Sequence, residues 1–255
     1  MSIPRFHWWR TVFFLIPAIS VYSIVLGTGS TLSMLVDRRG HIAHGFARAW
    51  SWLVLATTGV RVDIHGLDRL IPGTTYVFVA NHESTYDIPV VFWALPYQVR
   101  IIAKQGLGAI PFLGWHLKRA GHLLVDRRHP NAAGILNQWR QLLAAGLSLI
   151  IFPEGTRSAD GTVGRFKSGS FLLAIEAGLP IVPVSISGTR FIMRKGVLTT
   201  RPGHATLVVH PPISTTDGSW TPDIAAARRL GAQARVIIEE QVMADDPAAG
   251  TWPSN

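Results

Sequence analysis

Residues 75–87 read TYVFVANHESTYD. The first six, Thr75–Ala80, are β-branched, aromatic or small, as a buried strand requires. A polar turn follows, and then a helix start that Ser84 or Thr85 is placed to cap. Strand, turn and helix in that order form the repeating unit of an α/β sheet, whose sites lie just beyond the strand ends. On one continuous helix His82 and Asp87 would point about 140° apart, so they can meet only if the chain turns between them. A strand-end His beside a first-turn Asp is a base with its orienter: the carboxylate holds the imidazole tautomer and stabilises the cation formed on protonation. On spacing alone, a capped loop carrying a surface His fits equally well.

Outward from this stretch the same texture repeats. Strands are expected at Val60–His65, Val99–Ala103, His122–Val125, Ser148–Phe152, Ile181–Ile186 and Ala205–His210. Helices are expected at Thr85–Ala94, Pro111–Ala120, Asn131–Ala145, Ser168–Ala177 and Pro222–Val242. The fold class is therefore α/β, with a mainly parallel or mixed central sheet covered by helices. Residues 60–244 form this body, 1–59 precede it as an apolar helical region, and 245–255 read as a flexible polar tail.

The second informative stretch is Phe152-Pro153-Glu154-Gly155-Thr156-Arg157-Ser158, directly after the apolar run Leu149–Phe152. Gly155 lets the backbone approach a ligand, and Arg157 can fork onto a phosphate. A strand-to-loop turn with a solvated Arg is the plainer reading. Other motifs fail. Gly27-Thr28-Gly29-Ser30 lacks a preceding strand and a third Gly, Lys167-Ser168 has no Walker spacing, His82-Glu83 has no second His at zincin spacing, and no G-x-S-x-G elbow occurs.

The leader has a different character. Thr11–Val36 contains no charged side chain, and as a helix it would be about 39 Å long, more than the hydrocarbon core of a bilayer. Trp8, Trp9 and Arg10 precede it, and Asp37, Arg38 and Arg39 close it, so it reads as a membrane segment with interfacial anchors. Its length and the lack of an A-x-A site disfavour a cleaved signal. Pro17 and the Gly27/Gly29 pair are expected to interrupt the helix, which leaves two arrangements open: a segment that enters the bilayer and returns, or one that spans it. His41–Thr58 follows as a second helix, with Phe46, Trp50, Leu53 and Val54 on one face; the two make a membrane-associating helical hairpin. Composition agrees: 48% of the 255 residues are apolar, only 15% are charged, and the net charge is +9. A basic, charge-poor chain suits an anionic membrane surface or anionic substrate. Nucleic acid is disfavoured, because the tryptophans gather around the leader instead of interleaving with cations on the body. With no cysteine, thiolate metal sites and cysteine nucleophiles are excluded. No metal-ligand cluster is visible.

Asn81–Asp87 with its H-x4-D spacing, followed about seventy residues later by Phe152–Ser158, strongly resembles the glycerolipid acyltransferases, specifically the 1-acyl-sn-glycerol-3-phosphate acyltransferase family. Lys104–Trp115 (KQGLGAIPFLGW) with Gly121–Arg127 (GHLLVDR), and Ile181–Thr189 (IVPVSISGT), resemble two further blocks of that family in the same order. The likeness covers roughly Val60 to Ile213. Gly106 departs from it, since many members carry Glu in a K-x-E-L pattern. The resemblance implies transfer of a fatty acyl group from a thioester of acyl carrier protein or coenzyme A to the hydroxyl of lysophosphatidic acid, giving phosphatidic acid, without a further cofactor. It implies His82 as base and Asp87 as its orienter. It places Arg127, Glu154, Gly155, Thr156 and Arg157 on the acceptor, with Lys104 as a further phosphate contact. Glu154 could bind a glycerol hydroxyl or lock Arg157, and Lys167 could face the donor's phosphates. Backbone N–H groups near Val184 or Ser185 are the candidate oxyanion hole. The expected partners are a phospholipid bilayer, lysophosphatidic acid and the acyl thioester; the expected place is the cell (inner) membrane, with the catalytic domain on its cytoplasmic face. Rival readings are another acceptor, such as a lyso-ornithine lipid or glycerol 3-phosphate, and a non-catalytic lipid-binding protein.

Overall fold

The computed structural model describes residues 5–37, 39–126 and 132–245. The strands are β1 (Val60–His65), β2 (Val77–Ala80), β3 (Val99–Lys104), β4 (Leu123–Val125), β5 (Ser148–Ile151), β6 (Ile181–Ser187) and β7 (Gly203–Val209). They form one sheet in the order β1-β7-β6-β2-β5-β3-β4. β6 and β7 pair antiparallel, and every other pair is parallel, so the sheet is mixed. β2, β5 and β6 are buried along their whole length, because helices cover both faces; this is why each reads as an unbroken apolar run.

The two-residue period of β2 divides the core. Phe78 and Ala80 join one cluster with Val90 and Val91 of α4 (Asp87–Ala94) and Leu95 just after it, and Val77 and Val79 join another with Phe171 of α7 (Gly169–Ala177) and Leu230 of α9 (Ile224–Asp245). A fully buried side chain such as Phe78 contributes roughly 1.5–3 kcal/mol. β2 starts two residues later than expected, since the Tyr76 N–H donates to Ser148 Oγ at 3.0 Å instead of to a strand. Remaining helices are α5 (Leu113–Arg119), α6 (Ala132–Ala144) and the short α8 (Thr189–Ile192), and 3-10 turns occupy Leu67–Arg69 and Gln105–Ala109. α9 runs to Asp245; the rest of the expected tail lies outside the described residues.

The leader is helical from Arg5 to Ser33. α1 (Arg5–Arg10) passes through a π-helical turn (Thr11–Leu15) into α2 (Ile16–Ser33). The expected interruptions do not break it. Pro17 has no N–H to donate backwards, and the backbone widens into the π turn just ahead of it. The glycines mark close approach: a Cβ on Gly29 would lie 2.8 Å from the Phe46 ring, and one on Gly27 would lie 3.2 Å from the Phe112 carbonyl oxygen. α2 packs antiparallel against α3 (His41–Thr58), with Tyr22 Oη 2.9 Å from Thr57 Oγ1 and Trp50 Nε1 donating to Ser23 Oγ at 3.1 Å. Arg10 donates to the carbonyls of Thr57 and Thr58 at 3.2 and 2.9 Å, satisfying orphan carbonyls at the end of α3. Gly59, with φ at +75°, ends α3, and β1 begins at the next residue.

Among the described residues one helical stretch, Phe6–Ser33, is long and apolar enough to cross a membrane, and only 11% of its most apolar window is buried within the protein. A core helix of a soluble domain would bury far more of that surface.

Candidate active site

β2, β5 and β6 are parallel neighbours, so their C-terminal ends lie side by side. The chain leaving β2 carries His82, the chain leaving β5 carries Glu154 to Arg157, and the chain leaving β6 carries Thr189. Chain connections diverge on either side of β2, which opens a crevice at this end of the sheet.

The local chain turns as the pair requires. His82 Nδ1 lies 2.6 Å from Asp87 Oδ2, and the same oxygen accepts the N–H groups of Glu83 and Ser84 at 2.8 and 2.9 Å. The expected helix cap is replaced by this reversal. α4 begins at Asp87, not Thr85, and no side chain caps it, while Ser84 Oγ accepts the Tyr86 N–H and donates to the Met193 carbonyl. Asp87 Oδ1 accepts the Thr189 hydroxyl at 2.5 Å. Asp87 is fully buried and the His82 side chain is 14% exposed: the carboxylate is sealed and the imidazole faces out. Because Asp87 Oδ2 accepts from Nδ1, the ring offers its Nε2 lone pair outward. The ring stacks on Phe152, with centroids 4.3 Å apart.

The backbone of His82 is clamped on both sides. Its N–H donates to Glu154 Oε1 at 2.9 Å, and its carbonyl accepts the Ser158 N–H at 2.7 Å. Asn81 exchanges two 2.8 Å hydrogen bonds with the backbone of Ile186, tying the end of β2 to β6. The other oxygen of Glu154 takes the Gly164 N–H at 3.1 Å. Burial raises the Glu154 pKa from the usual carboxylate range, and its hydrogen bonds to the His82 and Gly164 N–H groups oppose that rise. Of the two roles considered for Glu154, the lock on Arg157 is not made: Arg157 Nη1 donates to Thr85 Oγ1 at 2.7 Å. Each Glu154 oxygen accepts one backbone N–H.

His82 opens onto a cavity of about 1050 Å³, mostly apolar, between the leader helices and the body; Lys104, Gly155, Arg157 and Lys167 also line it. Gly155 has φ at +74°, a backbone that side-chain-bearing residues rarely adopt, so this turn favours glycine; Lys167 Nζ would stand 2.7 Å from a Cβ there. Lys104 ends β3 at the exposed rim. Glu154 and Thr156 are not part of the lining. Arg127 lies outside the described residues. Val184 and Ser185 are fully buried within β6 between β2 and β7. The Ser185 hydroxyl sits 2.7 Å from His210 Nε2, and neither residue reaches the cavity; the oxyanion hole expected there is not available. Sequence reasoning assigned no role to Thr189, although it closes the block 181–189. Its only signal was position, a hydroxyl immediately past a strand end beside the one carrying His82.

A strand-end imidazole held by a sealed carboxylate thus opens onto a large apolar cavity rimmed by cations. A family model described as Acyltransferase matches residues 61–187. The chain is 31% identical over 195 residues to the 1-acyl-sn-glycerol-3-phosphate acyltransferase alpha of Mus musculus, covering 75% of this chain and 68% of that one. It is 34% identical over 199 residues to a chloroplastic 1-acyl-sn-glycerol-3-phosphate acyltransferase of Brassica napus, covering 76% of this chain and 57% of that one. The crystal structure of the 1-acyl-sn-glycerophosphate acyltransferase of Thermotoga maritima superimposes with a TM-score of 0.78 at 25% identity, over 96% of this chain and 97% of that one. The chain belongs to the 1-acyl-sn-glycerol-3-phosphate acyltransferase family. It spans little more than half the length of the Brassica relative.

Proposed function

We propose that this protein transfers a fatty acyl group from an acyl carrier protein or coenzyme A thioester to the free hydroxyl of lysophosphatidic acid, giving phosphatidic acid at a membrane surface. The observation that carries the reading is the His82–Asp87 couple, sealed on the carboxylate side and open on the imidazole side to a cavity lined by Lys104, Arg157 and Lys167. His82 Nε2 takes the proton of the acceptor hydroxyl as its oxygen attacks the thioester carbonyl. The tetrahedral intermediate collapses, the C–S bond breaks, and the imidazolium returns the proton to the departing thiolate. Asp87 stabilises the imidazolium in between and holds the ring in one tautomer. Glu154 and Ser158 act through the backbone of His82, fixing where the ring stands; Glu154 is thus a positioning residue. Arg157 and Lys104 offer their charge to the acceptor's phosphate, Lys167 offers its own to the donor's phosphates, and Gly155 keeps the turn between Arg157 and Lys167 open. The basic net charge and the exposed apolar leader support a seat on an anionic leaflet, on the cytoplasmic face of the cell membrane, where the thioester is met.

An acceptor panel in detergent micelles, with one acyl donor and products separated by mass, tests the reading. Lysophosphatidic acid should be acylated ahead of lyso-ornithine lipid and glycerol 3-phosphate. Preference for either of those would overturn the acceptor, and no turnover of any would leave a lipid-binding protein. Arg157→Ala should raise the acceptor KM by about 10- to 100-fold, the weight of a hydrogen bond to a charged group, with kcat less affected. An unchanged KM would remove Arg157 from the phosphate.

A further inference from the structure

Between Asp87 and Asp126 the sequence contains no acidic residue. Within that stretch, the 3-10 turn after β3 and the start of α5 present large apolar side chains to the outside: Leu107 is 38% exposed, Ile110 45% and Trp115 49%. Trp115 meets Phe112 edge-on, with centroids 4.9 Å apart. Lys104 stands at one end of the segment, and Lys118 and Arg119 stand at the other, all exposed. Apolar side chains with a tryptophan between cationic ends make up the composition of an interfacial element.

The segment is built, not loose. A Cβ on Gly114 would lie 2.4 Å from the Gly108 carbonyl oxygen, so the turn closes tightly on itself. Phe112 has φ at +63°, the one positive value outside glycine among the described residues. Such a backbone, with ψ at −57° outside the left-handed helical region, costs roughly 1–3 kcal/mol, and it persists with the apolar side chains facing outward instead of folding into the core.

The place of the segment is equally specific. It packs directly on α2, through the Gly27–Phe112 approach and through Ser30 Oγ, 2.6 Å from His116 Nδ1. On α2 itself Ile24, Val25 and Leu32 are exposed. Exposed apolar side chains thus stand on both α2 and the segment packed against it. Leu26 and Ser30 of α2 and Leu107 and Leu113 of the segment line the same cavity as His82.

We propose that residues 105–115 form a second bilayer contact, carried by the α/β body, which dips into an anionic lipid surface beside α2. The inference rests on the membrane seat proposed above. It assigns lipid contact to a part of the chain outside the leader, and it sets the cavity between two immersed edges.

The chain has no cysteine, so single nitroxide labels can be placed without background. Ile110→Cys is the probe, with Leu107→Cys as a second position should the first disturb folding. Val25→Cys on α2 reports the leader. Asp217→Cys, close in sequence to Ile213 at the opposite end of β6, reports water. The labelled full-length protein is reconstituted in vesicles of phosphatidylcholine and phosphatidylglycerol, and relaxation by oxygen is compared with relaxation by a water-soluble nickel chelate. Labels at 110 and 107 should sit about 5–10 Å below the headgroup boundary, the depth of interfacial elements, with the label at 217 in water. Labels at 110 and 107 exposed to nickel while 25 is shielded would overturn the second contact and leave the membrane seat standing. Exposure at 25 as well would overturn both.

Discussion

Replacing His82 with alanine should lower kcat by about 10²–10⁴, the usual contribution of a positioned general base, while the fold is kept. The two effects separate because His82 serves the structure through its backbone and the chemistry through its ring. The N–H to Glu154 and the carbonyl to Ser158 survive truncation, and the ring is partly exposed, so little packing is lost beyond its stack on Phe152. Single-turnover acylation, read alongside near-UV circular dichroism, checks both halves. Full activity in the variant would remove His82 as base. A labelled acyl group trapped on the wild-type protein would replace direct attack by a covalent route.

Asp87→Asn should lose as much activity and, unlike the histidine change, stability as well. Asp87 is buried and accepts from His82 Nδ1, two backbone N–H groups and the Thr189 hydroxyl. An amide has one acceptor oxygen: turned away from Oδ2's three donors it leaves them facing its NH₂, and turned toward them it meets them without the charge and sets its NH₂ against the Thr189 hydroxyl, which must reverse from donor to acceptor. An unmet buried group of this kind costs about 1–3 kcal/mol, and for a chain of this size each kcal/mol is worth about 2–4 °C in Tm. The imidazole also loses the acceptor that fixes its tautomer, for which a kcat loss of about 10³–10⁴ is expected. Thermal unfolding in detergent and the acylation rate should fall together. A variant that keeps its Tm but not its rate would confine Asp87 to chemistry; one that keeps its rate would remove it from the mechanism.

The reading of the sequence succeeded where the determining forces are local. Strand periodicity, the switch from apolar run to polar turn, and the need for a reversal between His82 and Asp87 are properties of adjacent residues, and they place the couple where the structure has it. The partners that finish the site are distant along the chain. Thr189 is 102 residues from Asp87, Ile186 is 105 from Asn81, and Glu154 is 72 from His82. No spacing rule joins them; only the lateral order of β5, β2 and β6 does. The ligand role expected for Glu154 came from the family resemblance, and its capture by two backbone N–H groups depends on how that loop crosses the end of β2. The leader was read as broken at Pro17, Gly27 and Gly29 because helix propensity weighs against them. Tertiary approach reverses that weight at the two glycines, where Phe46 and Phe112 leave no room for a side chain.

The fastening of the leader has a mechanical corollary. Arg10 grips the end of α3, Tyr22 and Trp50 bridge the hairpin, and Ser30 holds α5. A transmembrane helix alone adapts to bilayer thickness by tilting. Here α2 cannot lean without carrying the catalytic body with it, so on the membrane seat proposed above a change in lipid chain length would become a change in the height and angle at which the histidine meets the leaflet.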